Sequence, residues 1–102
     1  MVTHIVFFAF SSEGRSENLL EARRRIEAMT DHIPSLRRLE VGLNFSPEDR
    51  AMDMALITQF DDRDGLDAYA THPAHLEVIA WIKTVVTYTK VVDYEHGEMS
   101  LP

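Results

Sequence analysis

The chain has 102 residues, enough for one domain with a single hydrophobic core. Its net charge of −7, from 17 acidic and 10 basic residues, opposes binding to nucleic acid or to an anionic membrane surface. The absence of cysteine excludes disulfides, thiolate nucleophiles and cysteine-rich zinc sites. No apolar run approaches the roughly 20 residues of a membrane helix, and the N-terminus does not resemble a signal peptide, so we expect a cytoplasmic protein.

The hydrophobic pattern predicts one unit over residues 1–95 and a polar tail over residues 96–102. The predicted elements in chain order are a strand over residues 2–10, a helix that begins at an N-cap Ser16 and ends at Pro34, strands over residues 36–45 and 52–60, a helix over residues 66–85 that is interrupted at His72-Pro73, and a strand over residues 88–94. This β-α-β-β-α-β order is the ferredoxin-like split βαβ pattern. It is an α+β fold in which two helices cover one face of a four-stranded antiparallel sheet.

The first strand is apolar on both of its faces. The even-numbered positions from Val6 to Phe10 and the odd-numbered positions from Ile5 to Ala9 are all apolar. Since two helices can cover only one face, a monomer would expose the odd-numbered set in a larger patch than soluble monomers usually carry. We therefore expect a homodimer in which the open faces of two sheets pair and close an α/β barrel.

Seven short motifs occur in a fixed order from the first strand to the last. They are His4-Ile5-Val6, Ile33-Pro34, Leu39-Glu40-Val41-Gly42-Leu43-Asn44 with Ser46-Pro47-Glu48, residues 53–60 before an acidic turn, Leu66-Asp67-Ala68-Tyr69, His72-Pro73-Ala74-His75, and Val91-Val92-Asp93-Tyr94. In this order they resemble the stress-responsive A/B barrel (Dabb) family over residues 1–95. The resemblance implies a ferredoxin-like domain that forms a dimeric α/β barrel, in a family most of whose members have no established activity.

The same resemblance implies a candidate catalytic pair. A plant polyketide cyclase of the family, which forms an alkylresorcylic (olivetolic) acid, uses a His/Tyr pair for an intramolecular aldol condensation. That pair corresponds to Tyr69 and His75, and a further pocket histidine corresponds to His4. A tyrosine that lines the cyclase pocket corresponds to about Ile26, an apolar residue here, so the cyclase's substrate does not follow from the pair.

The residues themselves are compatible with acid–base chemistry. His75 lies in the predicted first turn of a helix, where the helix dipole disfavours a protonated imidazole, so it can accept a proton near neutral pH. The phenol of Tyr69 can hydrogen-bond that imidazole, and the two groups could remove a proton α to a carbonyl and stabilise the enolate. The alternative is structural: His75 satisfies groups at the helix end and Tyr69 packs in the core with its hydroxyl in water.

His4 and four apolar residues complete the candidate site. His4 is in phase with Phe8 and is predicted on the helix-covered face, where a lone histidine is more often a core residue than a catalyst. It becomes a catalytic candidate if it faces the same pocket as His75. The candidate substrate-binding residues are Phe8, Ile26, Ile79 and Trp81, and Ile79 lies four residues after His75 on one helix face.

The sequence indicates no metal or organic cofactor. His72 and His75 lie three residues apart, but a metal site would need further ligands from Asp93, His96 or His4. Nothing in their spacing requires such a site, and His72 is expected to cap its helix or to face solvent. The sequence also has no Gly-rich phosphate loop or nucleotide motif.

Three functions are compatible with these observations. A small-molecule pocket between sheet and helices is common to all of them, and a cofactor-independent cyclase or lyase is the leading enzymatic hypothesis. The alternatives are a non-catalytic small-molecule-binding or stress-associated dimer and a cofactor-free oxygenase, because small dimeric ferredoxin-like domains also host that chemistry.

Overall fold

Residues 1–96 are described by a computed structural model. The elements in chain order are β1 (Val2–Phe10), α1 (Arg15–Glu27), a 3₁₀ turn (Ala28–Asp31), β2 (Arg38–Leu43), β3 (Met54–Phe60), α2 (Arg63–Ala70), α3 (Pro73–Ile82) and β4 (Val86–Glu95). The four strands form one sheet in the order β2-β3-β1-β4, with every neighbouring pair antiparallel. The predicted ferredoxin-like α+β fold is therefore confirmed. Residues 97–102, most of the predicted tail, lie outside the described residues.

Strand β1 is one of the two inner strands of the sheet, beside β3. It pairs along its length with β3 on one side and with β4 on the other, so its backbone groups are satisfied from both sides. The antiparallel register places His4 opposite Thr58 on β3 and opposite Asp93 on β4. Phe8 lies opposite Met54 and Thr89 in the same way.

The start of α1 differs from its prediction. Gly14 is the N-cap, with φ 66°, and Ser16 lies inside the helix, so the assignment of Ser16 as the cap is wrong. The physical reason is the left-handed conformation at the turn, which glycine adopts at no steric cost and serine does not. The helix then ends at Glu27, and a 3₁₀ turn carries the chain on toward Pro34.

The second predicted helix consists of two separate helices. Helix α2 starts at Arg63, before the predicted Leu66, because the carboxylate of Asp62 caps it by accepting a hydrogen bond of 2.9 Å from the Gly65 backbone N–H. His72 caps α3, since its Nδ1 accepts from the Ala74 backbone N–H at 3.1 Å, as predicted.

The other boundaries shift by a few residues from their predictions. Strands β2 and β3 are shorter than predicted, α3 ends at Ile82 rather than at residue 85, and β4 begins at Val86 rather than at Tyr88. Such shifts follow from tertiary hydrogen bonds, for example between the Ser11 backbone N–H and the Val85 carbonyl at 2.9 Å.

The hydrophobic core lies between the helices and one face of the sheet. Its fully buried members include Phe10, Ala22, Ile26, Met54 and Phe60. The opposite face is more open, since Phe7 is 38 % exposed and Val92 is 52 % exposed. Within residues 1–96 no helix has the length and apolar character needed to cross a membrane.

Candidate functional site

A cavity of about 460 Å³ lies between the helices and the sheet. This volume is in the range of small-molecule sites, and most of the lining side chains are apolar. The cavity brings together all three residues that were predicted as catalytic, namely His4, Tyr69 and His75.

Three different elements position these side chains. His4 projects from β1 on the helix-covered face, Tyr69 lies in the last turn of α2, and His75 lies in the first turn of α3. The ring centroids of Tyr69 and His75 are 4.3 Å apart, and those of His4 and Tyr69 are 6.2 Å apart with an edge-on geometry. Tyr69 is therefore in ring contact with both histidines.

Tyr69 is buried, and its hydroxyl has no hydrogen-bond partner among residues 1–96. The predicted hydrogen bond from this phenol to the His75 imidazole is thus wrong, because the two rings pack against each other at an interplanar angle of 42° instead. Burial raises the pKa of the phenol well above its usual range. Tyr69 therefore keeps its proton at neutral pH and has an unused hydrogen-bond donor.

The imidazole of His75 is fixed by the end of the preceding helix. Ala70 is the last residue of α2, and its carbonyl oxygen is 3.0 Å from His75 Nδ1. Because a carbonyl only accepts hydrogen bonds, Nδ1 must carry a proton, and in the neutral imidazole the basic lone pair is then on Nε2.

Burial is the largest cause of a lowered pKa at His75. The hydrogen bond to Ala70 opposes this shift, and the neighbouring His4 adds to it by a smaller amount. The predicted direction is confirmed, although the prediction rested on the helix dipole rather than on burial. His75 is consequently neutral near pH 7 and able to accept a proton.

Asp93 pairs with His4 across the sheet. The Nδ1 atom of His4 donates a hydrogen bond to Oδ1 of Asp93, which the β1–β4 register places directly opposite. Sequence analysis named Asp93 only as a candidate metal ligand, because the partner strand of β1 was unknown. This contact orients the His4 ring within the cavity, as a carboxylate commonly does for a functional histidine.

Three of the four predicted substrate-binding residues line the cavity, and the fourth does not. Phe8, Ile26 and Ile79 are in its wall. Trp81 lies outside it, with the guanidinium of Arg25 positioned 4.5 Å from its ring centroid. Trp81 is two residues from Ile79, and residues with that spacing point to different sides of a helix. The wall residues that the sequence did not indicate are Val6, Met29, Leu56, Leu66, Ala70, Val78, Ile82, Lys83, Val86, Tyr88, Thr89 and Val91.

The side chains that were considered as metal ligands are used in other contacts. His72 caps α3, and Nε2 of His96 is 2.7 Å from the Thr3 hydroxyl at the end of the sheet. Within residues 1–96 no group of three or more histidine or carboxylate side chains is arranged to hold a metal ion.

Comparison with known proteins gives a family and a fold. Residues 2–96 match the model of the stress responsive A/B barrel domain (Dabb). An uncharacterized protein of Streptomyces coelicolor is 33 % identical over 97 residues, which cover 93 % of this chain and 99 % of that protein.

Two solved structures have the same fold. A dimeric ferredoxin-like protein of unknown function from Bacteroides fragilis has a TM-score of 0.85 and 32 % identity, covering 93 % of this chain and 95 % of its own. A hydroxynitrile lyase from Passiflora edulis has a TM-score of 0.84 at 20 % identity, covering 98 % of this chain and 96 % of its own. At that identity the lyase shows the fold alone.

The unpartnered hydroxyl of Tyr69 predicts that Tyr69→Phe stabilises the ligand-free protein. A buried polar group without a partner costs about 1–3 kcal/mol, and the substitution removes it while keeping the ring contacts. Urea unfolding should show a higher free energy of unfolding for Tyr69→Phe and no change for Tyr88→Phe, whose side chain is exposed. A lower free energy of unfolding for Tyr69→Phe than for the wild type would mean that the Tyr69 hydroxyl does have a hydrogen-bond partner.

The burial of His75 predicts that its imidazole titrates below the pKa it has in the unfolded chain. Because the folded pKa is the lower one, protonation favours unfolding, and the protein loses stability as pH falls through the unfolded value of about 6.5. Following the ring resonances by NMR, with the urea-unfolded chain as reference, checks the shift. A folded pKa equal to or above the unfolded one would refute it.

Proposed function

The chain belongs to the stress-responsive A/B barrel (Dabb) family, and we propose that its cavity binds a small carbonyl compound and removes a proton next to the carbonyl. The protein would then be a cofactor-independent lyase or cyclase. One observation carries this proposal: Tyr69, whose buried hydroxyl has no partner among residues 1–96, lines the same cavity as a neutral histidine, with the two rings 4.3 Å apart. A non-catalytic binding pocket does not require that combination.

His75 is the base in this proposal. Its Nδ1 proton is held by the Ala70 carbonyl, so Nε2 accepts the proton from the carbon next to the substrate carbonyl. Burial lowers the pKa of His75 and keeps the ring unprotonated in the resting state. The walls around it are mostly apolar, and electrostatic contacts made during the reaction are stronger in such surroundings than in water.

Tyr69 stabilises the charge that this proton transfer creates. The carbonyl oxygen becomes an enolate oxygen, and the phenol donates a hydrogen bond to it. The raised pKa of Tyr69 ensures that the proton is present at neutral pH. The hydroxyl is already desolvated and unpartnered, so no existing hydrogen bond has to break when substrate binds.

His4 is the second proton carrier. Its Nδ1–H donates a hydrogen bond to Asp93, which fixes the ring and leaves Nε2 as the nitrogen that can accept a proton. In a cyclisation the enolate carbon forms a bond to a second carbonyl carbon of the same molecule, and the resulting alkoxide oxygen takes up the proton that His75 removed, directly or through His4. All electrons stay within the substrate, so the step needs no oxidant or reductant.

The proposal predicts that His75→Ala lowers turnover of a poly-β-keto thioester by about 10²-fold or more, the usual effect of losing a general base. The matched control is His32→Ala, since His32 is exposed and lies outside the cavity. Both variants should retain the far-UV spectrum of the wild type.

Equal turnover by wild type and His75→Ala would rule out His75 as the base. Binding of the thioester without turnover in the wild type would favour the non-catalytic interpretation, and consumption of dioxygen would favour the oxygenase.

We propose further that two copies of the chain pair through the open face of the sheet. Ile5, Phe7 and Val92 are exposed or half-buried on this face, and they form an apolar surface that no helix among residues 1–96 covers. A second copy supplies a complementary apolar surface by symmetry. The similar protein from Bacteroides fragilis is described as dimeric, which supports the proposal.

Adjacent valines on β4 give a sharp test of this interface. Val92 and Val91 are 52 % and 57 % exposed and point to opposite faces of the sheet. Sedimentation velocity should show a monomer for Val92→Glu, because a charge would be buried in the interface, and a dimer for Val91→Glu. A dimer in both variants would exclude the open face.

A further inference from the structure

The cavity has two chemically different ends. His4 and Asp93 lie opposite each other at one end, whereas Phe8 and Thr89 lie opposite each other four residues further along the same strand pair. At about 3.3 Å per residue the two positions are about 13 Å apart. Tyr69 and His75 join His4 at the first end, so the second end lies well away from the proposed chemistry.

Lys83 marks the second end. It follows the last residue of α3 as the C-cap, its side chain is exposed, and it lines the cavity. It is eight residues after His75, which corresponds to about 12 Å along a helix. The rise expected along α3 from His75 to Lys83 is therefore close to the rise expected along the sheet.

The charge of Lys83 is not balanced by the residues around it. No ion pair within residues 1–96 includes Lys83. Among residues 1–96, no aspartate or glutamate lines the cavity. This contrasts with several arginines of the chain, among them Arg25 and Arg37, which each contact a carboxylate. The ammonium group is available to an anion that enters the cavity.

Between the two ends the walls are apolar. Val6 and Val91 contribute from the sheet, and Val78 and Ile79 contribute from α3. Burying an alkyl or aryl segment against such walls stabilises a complex in proportion to the apolar surface removed from water. A ligand that fits must have an apolar body between its two polar ends.

We propose that the cavity is built for an amphiphilic carboxylic acid, held with its carboxylate at Lys83 and its apolar body between β1, β4 and α3. This places the far end of the ligand beside Tyr69 and His75, so a carbonyl there makes the substrate class a medium-chain oxo acid. The assignment of the carbonyl rests on the proposed function, whereas the anchoring of the carboxylate concerns binding alone.

The test compares two probes that differ only in the anchored group, octanoate and 1-octanol. Wild-type protein should bind octanoate more tightly, with shifts in the ring resonances of His75 that locate the probe in the cavity. Lys83→Met should weaken octanoate binding about two- to fivefold, the effect of losing one solvent-accessible ion pair, and leave octanol binding unchanged. Lys83→Arg should retain the preference for octanoate.

Lys90→Met is the matched control. Lys90 is the only other lysine of the chain, it lies 5.8 Å from the centroid of the Tyr88 ring, and it does not line the cavity. Its substitution changes the net charge by the same amount as Lys83→Met and should leave both affinities unchanged. An equal loss in both lysine variants would mean that overall charge, and not an anchor, favours octanoate, and would overturn the proposal.

The remaining outcomes separate this proposal from the proposed function. Equal affinity of the wild type for the two probes, or binding of neither, overturns the anchor even if His75→Ala abolishes turnover. A preference for octanoate that depends on Lys83 supports the anchor even if no variant turns over a carbonyl substrate.

Discussion

The two-sided antiparallel pairing of β1 is the constraint on which the site depends. Because β1 pairs with β3 and β4 at once, every other side chain from His4 to Phe8 faces the helices and forms the floor of the cavity. The same pairing brings Asp93 next to His4 and leaves the odd-numbered side chains on the opposite face. One register thus sets the floor of the pocket, the orientation of a histidine and the apolar surface proposed as an interface.

The break between α2 and α3 is the second determinant. Proline tolerates the first position of a helix, and His72 caps α3 from the residue before it. The chain therefore ends one helix and starts another within two residues. This leaves the Ala70 carbonyl at the end of α2 without a helical partner, and His75 from the first turn of α3 supplies one. A local requirement of the backbone thereby selects the tautomer of the candidate base.

The stability of the fold and the chemistry of the site oppose each other at Tyr69. Its ring packs against Phe60 and His75 in the core, which favours folding, but its hydroxyl is buried without a partner, which disfavours it. Residues that lower stability in this way are common at functional sites, where a ligand satisfies them.

Local chemistry was sufficient to predict much of this protein. The continuous run of β-branched and aromatic residues gives the full extent of β1, and the pattern of apolar residues gives the order of the strands and helices. The His72-Pro73 motif gives the cap of α3. These features depend on neighbouring residues only. It was also predictable that His4, Tyr69 and His75 line one pocket, from the family resemblance and from the face of β1 on which His4 lies.

The contacts between side chains within the pocket could not be predicted from the sequence. The contact of Asp93 with His4 depends on strand register. The rotation of each helix about its axis decides that Tyr69 packs against a ring instead of making a hydrogen bond, and that Trp81 lies outside the cavity wall. Strand register and helix rotation are set by packing between residues far apart in the chain, so a local sequence pattern does not predict them.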